Sequence, residues 1–269
     1  MLLAVDIGNT QTSLGAFEGE QLLFHWRIET RSSRTADEYA SLLFPLFAQR
    51  GLSGESWKGI ALCSVVPSVD GQFMDFCRRY LGQDPVRIHS ALPLGFSMNL
   101  ATPHEVGADR LVNVAYAIRK LPLPCIVVDF GTATTFDFIS EDLVYQGGAI
   151  VPGLWMGAEG LGGKTAKLPV IDLAFPASVI GKSTVECIQS GLLYGYCALI
   201  DGMLSRIESE CGKPCHVALT GGLSSLFAGR LEHECQILPD LTLEGIRILY
   251  QEVAGQDFAM RPFAAEPIH

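Results

Sequence analysis

Val5-Asp6-Ile7-Gly8-Asn9-Thr10-Gln11-Thr12 and Val128-Asp129-Phe130-Gly131-Thr132-Ala133-Thr134-Thr135 are one phrase written twice, at an offset of 123 residues. The aspartate, the glycine and the last threonine coincide. Each copy follows a short apolar run, 2–5 and 125–128. Each then leads into two further runs in which β-branched and aromatic residues are common, 13–17 and 21–28 after the first copy, 135–139 and 143–151 after the second. Runs of this kind, punctuated by turn residues, predict two β-meanders of shared design. In each, a glycine turn carries a carboxylate at its entrance and hydroxyls at its tip.

That combination points to phosphate. A tight glycine turn lets several backbone N–H groups converge on one spot, a nest suited to phosphate oxygens, and threonine hydroxyls add donors at its rim. A carboxylate repels phosphate, so its fitting task is to hold a cation, directly or through water. One such turn could equally be an Asx-type hairpin. Two matched copies facing each other across a cleft can grip a polyphosphate from both sides.

Helices are expected between these strands. Thr35-Ala36-Asp37-Glu38 has capping-box form, and Tyr39, Leu42, Leu43 and Leu46 then share one helical face until Gly51. A buried strand is expected at 60–66, halted by Pro67, then a helix over 69–80 and a strand over 86–89. Residues 107–121 and 183–210 have helical periodicity, and a strand at 216–219 runs into Thr220-Gly221-Gly222. From about 258 no period remains, so a loose tail is expected.

The 269 residues are 48% hydrophobic and 18% charged, the balance of a soluble globular chain of one large domain or two packed halves. The formal charge of −10 excludes the basic face that nucleic acid or an anionic membrane requires. The first residues lack a basic region and reach Asp6 at once, so no signal peptide is expected, and no apolar run approaches a membrane span. A cytoplasmic enzyme is the simplest reading. The eight cysteines are scattered, which suits reduced core thiols better than a disulfide framework. Cys211, Cys215 and His216 lack the second ligand pair of a structural zinc site. Gly181-Lys182-Ser183 looks like the end of a P-loop, but Pro176 stands where the Walker spacing needs glycine.

Two Asp-x-Gly-x-x-x-Thr hairpins and a late Thr-Gly-Gly after a strand resemble the phosphate-1, phosphate-2 and adenosine motifs of the actin-like ATPases, the superfamily of acetate and sugar kinases, heat-shock ATPases and actin. Within it, Asp6 to Thr10, then Gly107-Ala108-Asp109-Arg110, then Asp129 to Thr135 resemble the ordered signature of the type III pantothenate kinases. The segment Gly147-Gly148-Ala149-Ile150-Val151-Pro152-Gly153 and the pair Leu168-Pro169 are similar too, and the likeness covers roughly residues 2–250. It implies an α/β fold of two duplicated ribonuclease H-like halves, each a mixed sheet flanked by helices, with the ATP cleft between them. Residues 1–120 would form the first half, 121–257 the second, and 258–269 a tail.

The implied activity is ATP-dependent phosphorylation of pantothenate. Asp6, Ile7, Gly8, Asn9, Thr10, Gln11, Thr12 and Ser13 would bind ATP, with Asp6 on Mg²⁺ through water, and Thr132 would contribute from the opposing loop. Asp129 would hold a monovalent cation, K⁺ or NH₄⁺. Gly107, Ala108, Asp109, Arg110 and Thr184 would line the pantothenate site, Thr184 reaching it from the partner subunit of a homodimer. Asp109 would be the general base. Read without the family, an aspartate in a helix's first turn is equally a cap, and Thr184 an ordinary residue near a helix start. Gly221 and Gly222 would pass beneath the adenine.

Leu100 departs from the family, which commonly has a substrate-contacting tyrosine seven residues before Gly107. Along 183–210, Cys187, Gly191, Leu192, Gly195, Leu199 and Met203 form a stripe that reads as core packing from the sequence and as a helix contact between subunits from the family. Two other functions stay open: a kinase of the same superfamily acting on a sugar or carboxylate, and a non-catalytic regulatory homologue.

Overall fold

The computed structural model describes residues 1–164 and 171–255; Leu168, Pro169 and the expected tail from 258 lie outside the described residues. The first copy of the phrase forms the turn between β1 (Leu2–Ile7) and β2 (Gln11–Glu18), and β3 (Gln21–Glu29) completes the meander. Next come α1 (Ala36–Ala48), β4 (Gly59–Ser64), α2 (Pro67–Phe76) and the short β5 (Val86–Arg87). The expected capping box opens α1: Thr35 Oγ1 accepts from the Glu38 amide and the Glu38 carboxylate accepts from the Thr35 amide.

A two-residue strand, β6 (Ser97–Met98), precedes α3 (Ala108–Lys120). The second copy then joins β7 (Cys125–Phe130) to β8 (Ala133–Ile139), followed by β9 (Val144–Pro152) and α4 (Leu154–Lys164). The long α5 (Thr184–Cys211), β10 (His216–Gly221), β11 (Cys235–Ile237) and α6 (Leu241–Gly255) end the described chain.

Strand order repeats as the motifs do. The first sheet runs β3-β2-β1-β4-β5 and the second β11-β10-β7-β8-β9-β6, which read from the other edge is the same order with β6 added. In both, the meander is antiparallel and the next two strands add in parallel. The central strands open with continuous apolar runs, Leu2 to Val5 and Cys125 to Val128, because both faces are covered, and each run ends at a carboxylate, Asp6 or Asp129. This is the duplicated α/β architecture expected from the sequence.

Five layers result. Tyr39, Leu43 and Phe47 of α1 and Phe73 and Phe76 of α2 pack on the outer face of the first sheet. Leu193, Tyr196, Ile200 and Leu204 of α5 pack on the outer face of the second. Between the sheets lie α3 and α6: Leu111, Val112 and Ala115 face the first sheet with Ile246, while Val114, Ala117 and Ile118 face the second with Leu241. The two helices cross at backbone contact, since a Cβ on Gly245 would lie 2.0 Å from the Val112 carbonyl oxygen.

Two expectations change. The stripe on α5 divides: Cys187, Gly191 and Gly195 are exposed, whereas Leu192, Leu199 and Met203 are partly buried against the core face of Leu193, Tyr196, Cys197, Ile200 and Leu204. All eight cysteines are free, but only Cys63, Cys77, Cys125 and Cys197 are buried, and the Cys211 and Cys215 sulfurs approach to 3.6 Å near the surface. No helix among the described residues is long and apolar enough to cross a membrane.

Candidate active site

The two glycine turns meet. Thr10 Oγ1 and Thr132 Oγ1, from opposite halves, lie 3.0 Å apart. Each turn is closed by its glycine amide, Gly8 donating to the Gln11 carbonyl and Gly131 to the Ala133 carbonyl, the second turn being one residue shorter, so that Ile7 pairs with Thr12 but Phe130 with Thr134. Asn9, Thr10 and Gln11 are exposed at the mouth. The side chains of Ile7 and Thr12 turn into the protein instead, Thr12 with its hydroxyl on Thr30 Oγ1 at 2.9 Å, so only their backbone can face a ligand. Ser13 is half-buried opposite Asp6.

Gly153 supports the second turn from below. A Cβ there would stand 2.1 Å from the Thr132 carbonyl oxygen, which no side chain can occupy. Gly153→Ala is therefore expected to displace the 131–132 turn and, on the expectation that this turn grips ATP, to raise the KM for ATP by about tenfold or more, with a smaller loss of thermal stability. Steady-state titration of ATP checks this, and an unchanged KM contradicts it.

Three carboxylates converge behind the turns. Burial, then the charges of Asp109 and Asp129, push the Asp6 carboxyl up to about 8, against the pull of a hydrogen bond from Cys63 on the neighbouring strand. Asp129 is pushed up to about 6, mainly by burial and also by Asp109 and Asp137, while the Asn113 amide holds it down. Asp109 is raised by burial and held down by the backbone amides at the start of α3. The charges of Asp109 and Asp129 thus add to the cost of ionising Asp6, and that of Asp109 to the cost of ionising Asp129, an electrostatic condition that favours a bound cation.

Gly107 is the N-cap of α3, and Asp109 Oδ1 accepts from the Arg110 amide at 2.8 Å. The carboxylate curls over the helix start so closely that a Cβ on Gly107 would lie 2.4 Å from it. Ala108 is buried beneath. Arg110 donates through Nε (2.8 Å) and approaches through Nη2 (2.6 Å) the same oxygen of Asp137, whose side chain is fully buried. The Tyr145 hydroxyl donates to that oxygen at 2.5 Å, and its ring lies 5.8 Å from the guanidinium. Arg110 is thus held rigidly beside Asp109 with its charge already paired.

On the far side of Asp129, Gly221 has φ +86°, and a Cβ would sit 2.5 Å from Asp129 Oδ1, so the Thr-Gly-Gly strand end touches the second phosphate turn directly. Gly222 faces open space. Thr220 stands opposite Asp129 in the parallel ladder, and its hydroxyl is buried without a hydrogen-bond partner.

Thr184 is not brought to this cleft. It is the first residue of α5 after the cap Ser183, exposed, and no hydrogen bond or ion pair among the described residues joins it to the acidic trio. Leu100 is half-buried against Gly147. A groove of about 870 Å³ at the far end of the β8–β9 hairpin, lined by Phe138, Gln146, Met203, Arg206 and Lys213, contains none of the expected site residues. Sequence reasoning missed Asn113, Asp137 and Tyr145, and gave Thr220 no role beyond its place in the Thr-Gly-Gly motif. Of the three missed residues Asp137 alone left a signal, a carboxylate between Phe136 and Phe138 in a strand, eight residues after Asp129.

A family model described as type III pantothenate kinase matches residues 2–206. Curated relatives described as type III pantothenate kinases include one from Roseiflexus sp. (strain RS-1), 43% identical over 93% of this chain and 98% of its own. Another from Anaeromyxobacter dehalogenans (strain 2CP-C) is 44% identical over 93% and 99%, and one from Syntrophotalea carbinolica is 43% identical over 95% and 100%. Among solved structures, a protein from Campylobacter jejuni described as a conserved candidate transcriptional activator of the Baf family superposes with a TM-score of 0.61 at 17% identity, over 94% of this chain and 99% of its own. A candidate 2-dehydro-3-deoxygalactonokinase from Sinorhizobium meliloti superposes at 0.56 and 13% identity, over 99% and 100%. At those identities the superpositions show the shared fold.

Proposed function

The chain belongs to the type III pantothenate kinase family, and on that premise we propose that the cleft between its halves aligns ATP with pantothenate for direct transfer to Asp109's side of the site. Membership supplies the reaction, phosphorylation of pantothenate to 4′-phosphopantothenate by ATP at the head of coenzyme A synthesis. The observation that carries the assignment of residues is the contact of Thr10 with Thr132 above a buried Asp6 whose ionisation is opposed by the charges of Asp109 and Asp129.

The polyphosphate would lie between the two turns, held by backbone amides at the tip of the first turn and by the Thr10 and Thr132 hydroxyls. Asp6 would hold Mg²⁺ through water, and a bound ion would neutralise the charge that builds on the transferring phosphoryl oxygens. Asp129 and the unpartnered Thr220 hydroxyl are oxygen donors beside an uncompensated charge, a set that suits a weakly hydrated monovalent cation, K⁺ or NH₄⁺. Asp109 accepts the proton of the attacking hydroxyl as the new P–O bond forms. Gly107 and Ala108 allow substrate to approach that carboxylate closely, and Arg110 offers donors to the substrate's oxygens.

We place the halves at 1–120 and 121–257; β6 and α6 each reach across to the other half. A homodimer is supported by an exposed apolar surface, Trp155 and Met156 on α4 with Val179, Ile180 and Val185 around the start of α5, continuous with the exposed small residues of α5. Thr184 lies within that surface and reaches the partner's pantothenate site. Eight free thiols support the cytoplasm as the working compartment.

Phosphorus NMR of product from ATP with pantothenate, N-acetylglucosamine or acetate tests the acceptor. Turnover with pantothenate alone is expected, and turnover with a sugar alone overturns the reading.

A further inference from the structure

Asn113 stands in the middle of α3 with none of its surface exposed. Its Nδ2 donates to Asp129 Oδ2 at 2.9 Å, and its Oδ1 accepts from Thr242 Oγ1 at 2.9 Å. An amide has a donor end and an acceptor end, and a carboxylate tolerates only the donor. With Thr242 bound to the carbonyl end, both ends are satisfied in one orientation, and each bond polarises the next. The chain of bonds has no slack. Thr242 lies in the first turn of α6, and α6 is pressed onto α3 at backbone distance through Gly245 and Val112.

The identity of Asn113 also matters. A lysine or arginine there would fix Asp129 equally well but would cancel its charge. A neutral amide holds the carboxylate by one oxygen and leaves its charge for a ligand. The other oxygen, Oδ1, lies against Gly221, beside the unpartnered Thr220 hydroxyl.

We propose that Asn113, itself oriented by Thr242, is the positioning residue that fixes the Asp129 carboxylate with Oδ1 free for the monovalent cation. This rests on the reading of Asp129 as the cation-holding residue. Because α6 also packs on β1 and β4, the relay links the cation position in the second half to the framework of the first.

The test uses the full chain with Mg²⁺ and a non-hydrolysable ATP analogue, and follows the thermal midpoint as KCl replaces tetramethylammonium chloride at constant ionic strength. Thr242→Val, which keeps the side-chain shape and removes the donor, is expected to raise the half-saturating K⁺ concentration by about tenfold. Thr242→Ser, which restores the donor, is expected to stay within about twofold of the wild type. A merely structural role lowers the midpoint at every K⁺ concentration without moving half-saturation, and that result overturns the proposal, as does a serine variant that behaves like valine. Asp129→Asn separates the two levels of the argument. If it abolishes the K⁺ response while Thr242→Val leaves it intact, the relay alone is wrong. If the wild type shows no response, or Asp129→Asn retains it, the cation reading fails and takes the relay with it.

Discussion

Asp109→Asn lowers kcat by about 10²- to 10⁴-fold, the span of a lost general base, while the KM for ATP changes little. The asparagine keeps the size and the hydrogen bond to the Arg110 amide, so the start of α3 is preserved. What disappears is the ability to take a proton from the hydroxyl as it attacks phosphorus. The pH profile gives a second readout. Burial raises the Asp109 pKa above 3.8, so the base is protonated and idle at acid pH, and kcat/KM climbs as pH rises through the shifted value. In the variant that acid limb vanishes along with the activity. A helix cap that took no part in chemistry would give a modest stability loss and an unchanged profile.

Asp6→Asn has opposite effects on stability and on activity. The Asp6 carboxyl ionises at about 8 in the folded protein against 3.8 ordinarily, so between those values the folded chain binds more protons than the unfolded one. Stability from this group is therefore complete below pH 3.8 and is lost as pH rises through 8. The ligand-free wild type should melt progressively lower between pH 5 and pH 8, and the asparagine variant, which has no proton to lose, should melt several degrees higher at about pH 8. Its kcat/KM with Mg²⁺ and ATP should fall by at least about 10²-fold, because the divalent ion loses its carboxylate anchor. Addition of Mg²⁺ with an ATP analogue should flatten the wild-type pH dependence and leave the variant unaffected. Equal melting of both proteins across the whole pH range would contradict the crowding of Asp6 by Asp109 and Asp129.

Much of this was legible because duplication is visible in one sequence. Two turns at a fixed offset and the apolar strands around them give the repeated strand order and place Asp6, Thr10, Asp129 and Thr132 in one cleft. Elements without local signal were not legible. The strands β6 and β11 are two and three residues long and exist through their neighbours. Helix α4 carries four glycines in Leu154–Lys164, a composition that argues against helix unless packing supplies the stability. Helix α6 is a different case: Asp240, an N-cap residue type, stands directly before Leu241 and its carbonyl accepts from the Glu244 amide, so this start carried a signal that sequence reasoning missed.

The polar framework was hidden for a different reason. Asn113 is an unremarkable residue on a helix until it is paired with Asp129, 16 residues on, and Thr242, 129 residues on. The same holds for Arg110 and Asp137, whose pairing depends on how α3 lies against the second sheet. On α5 the sequence left two readings of one stripe, core packing and a contact between subunits, and the residues split: Leu192, Leu199 and Met203 pack on the core while Cys187, Gly191 and Gly195 lie exposed. Thr184 belongs to that exposed surface, and its part in a substrate site depends on a second copy of the chain.

The most direct measurement is a crystal structure with Mg²⁺, a non-hydrolysable ATP analogue and pantothenate bound together. The phosphates are expected between the Thr10 and Thr132 hydroxyls, bonded to both turns, with the acceptor hydroxyl of pantothenate against Asp109. Phosphates resting on one turn only, or a nucleotide seated in the groove beside Met203 and Arg206, would contradict the grip of the paired hairpins.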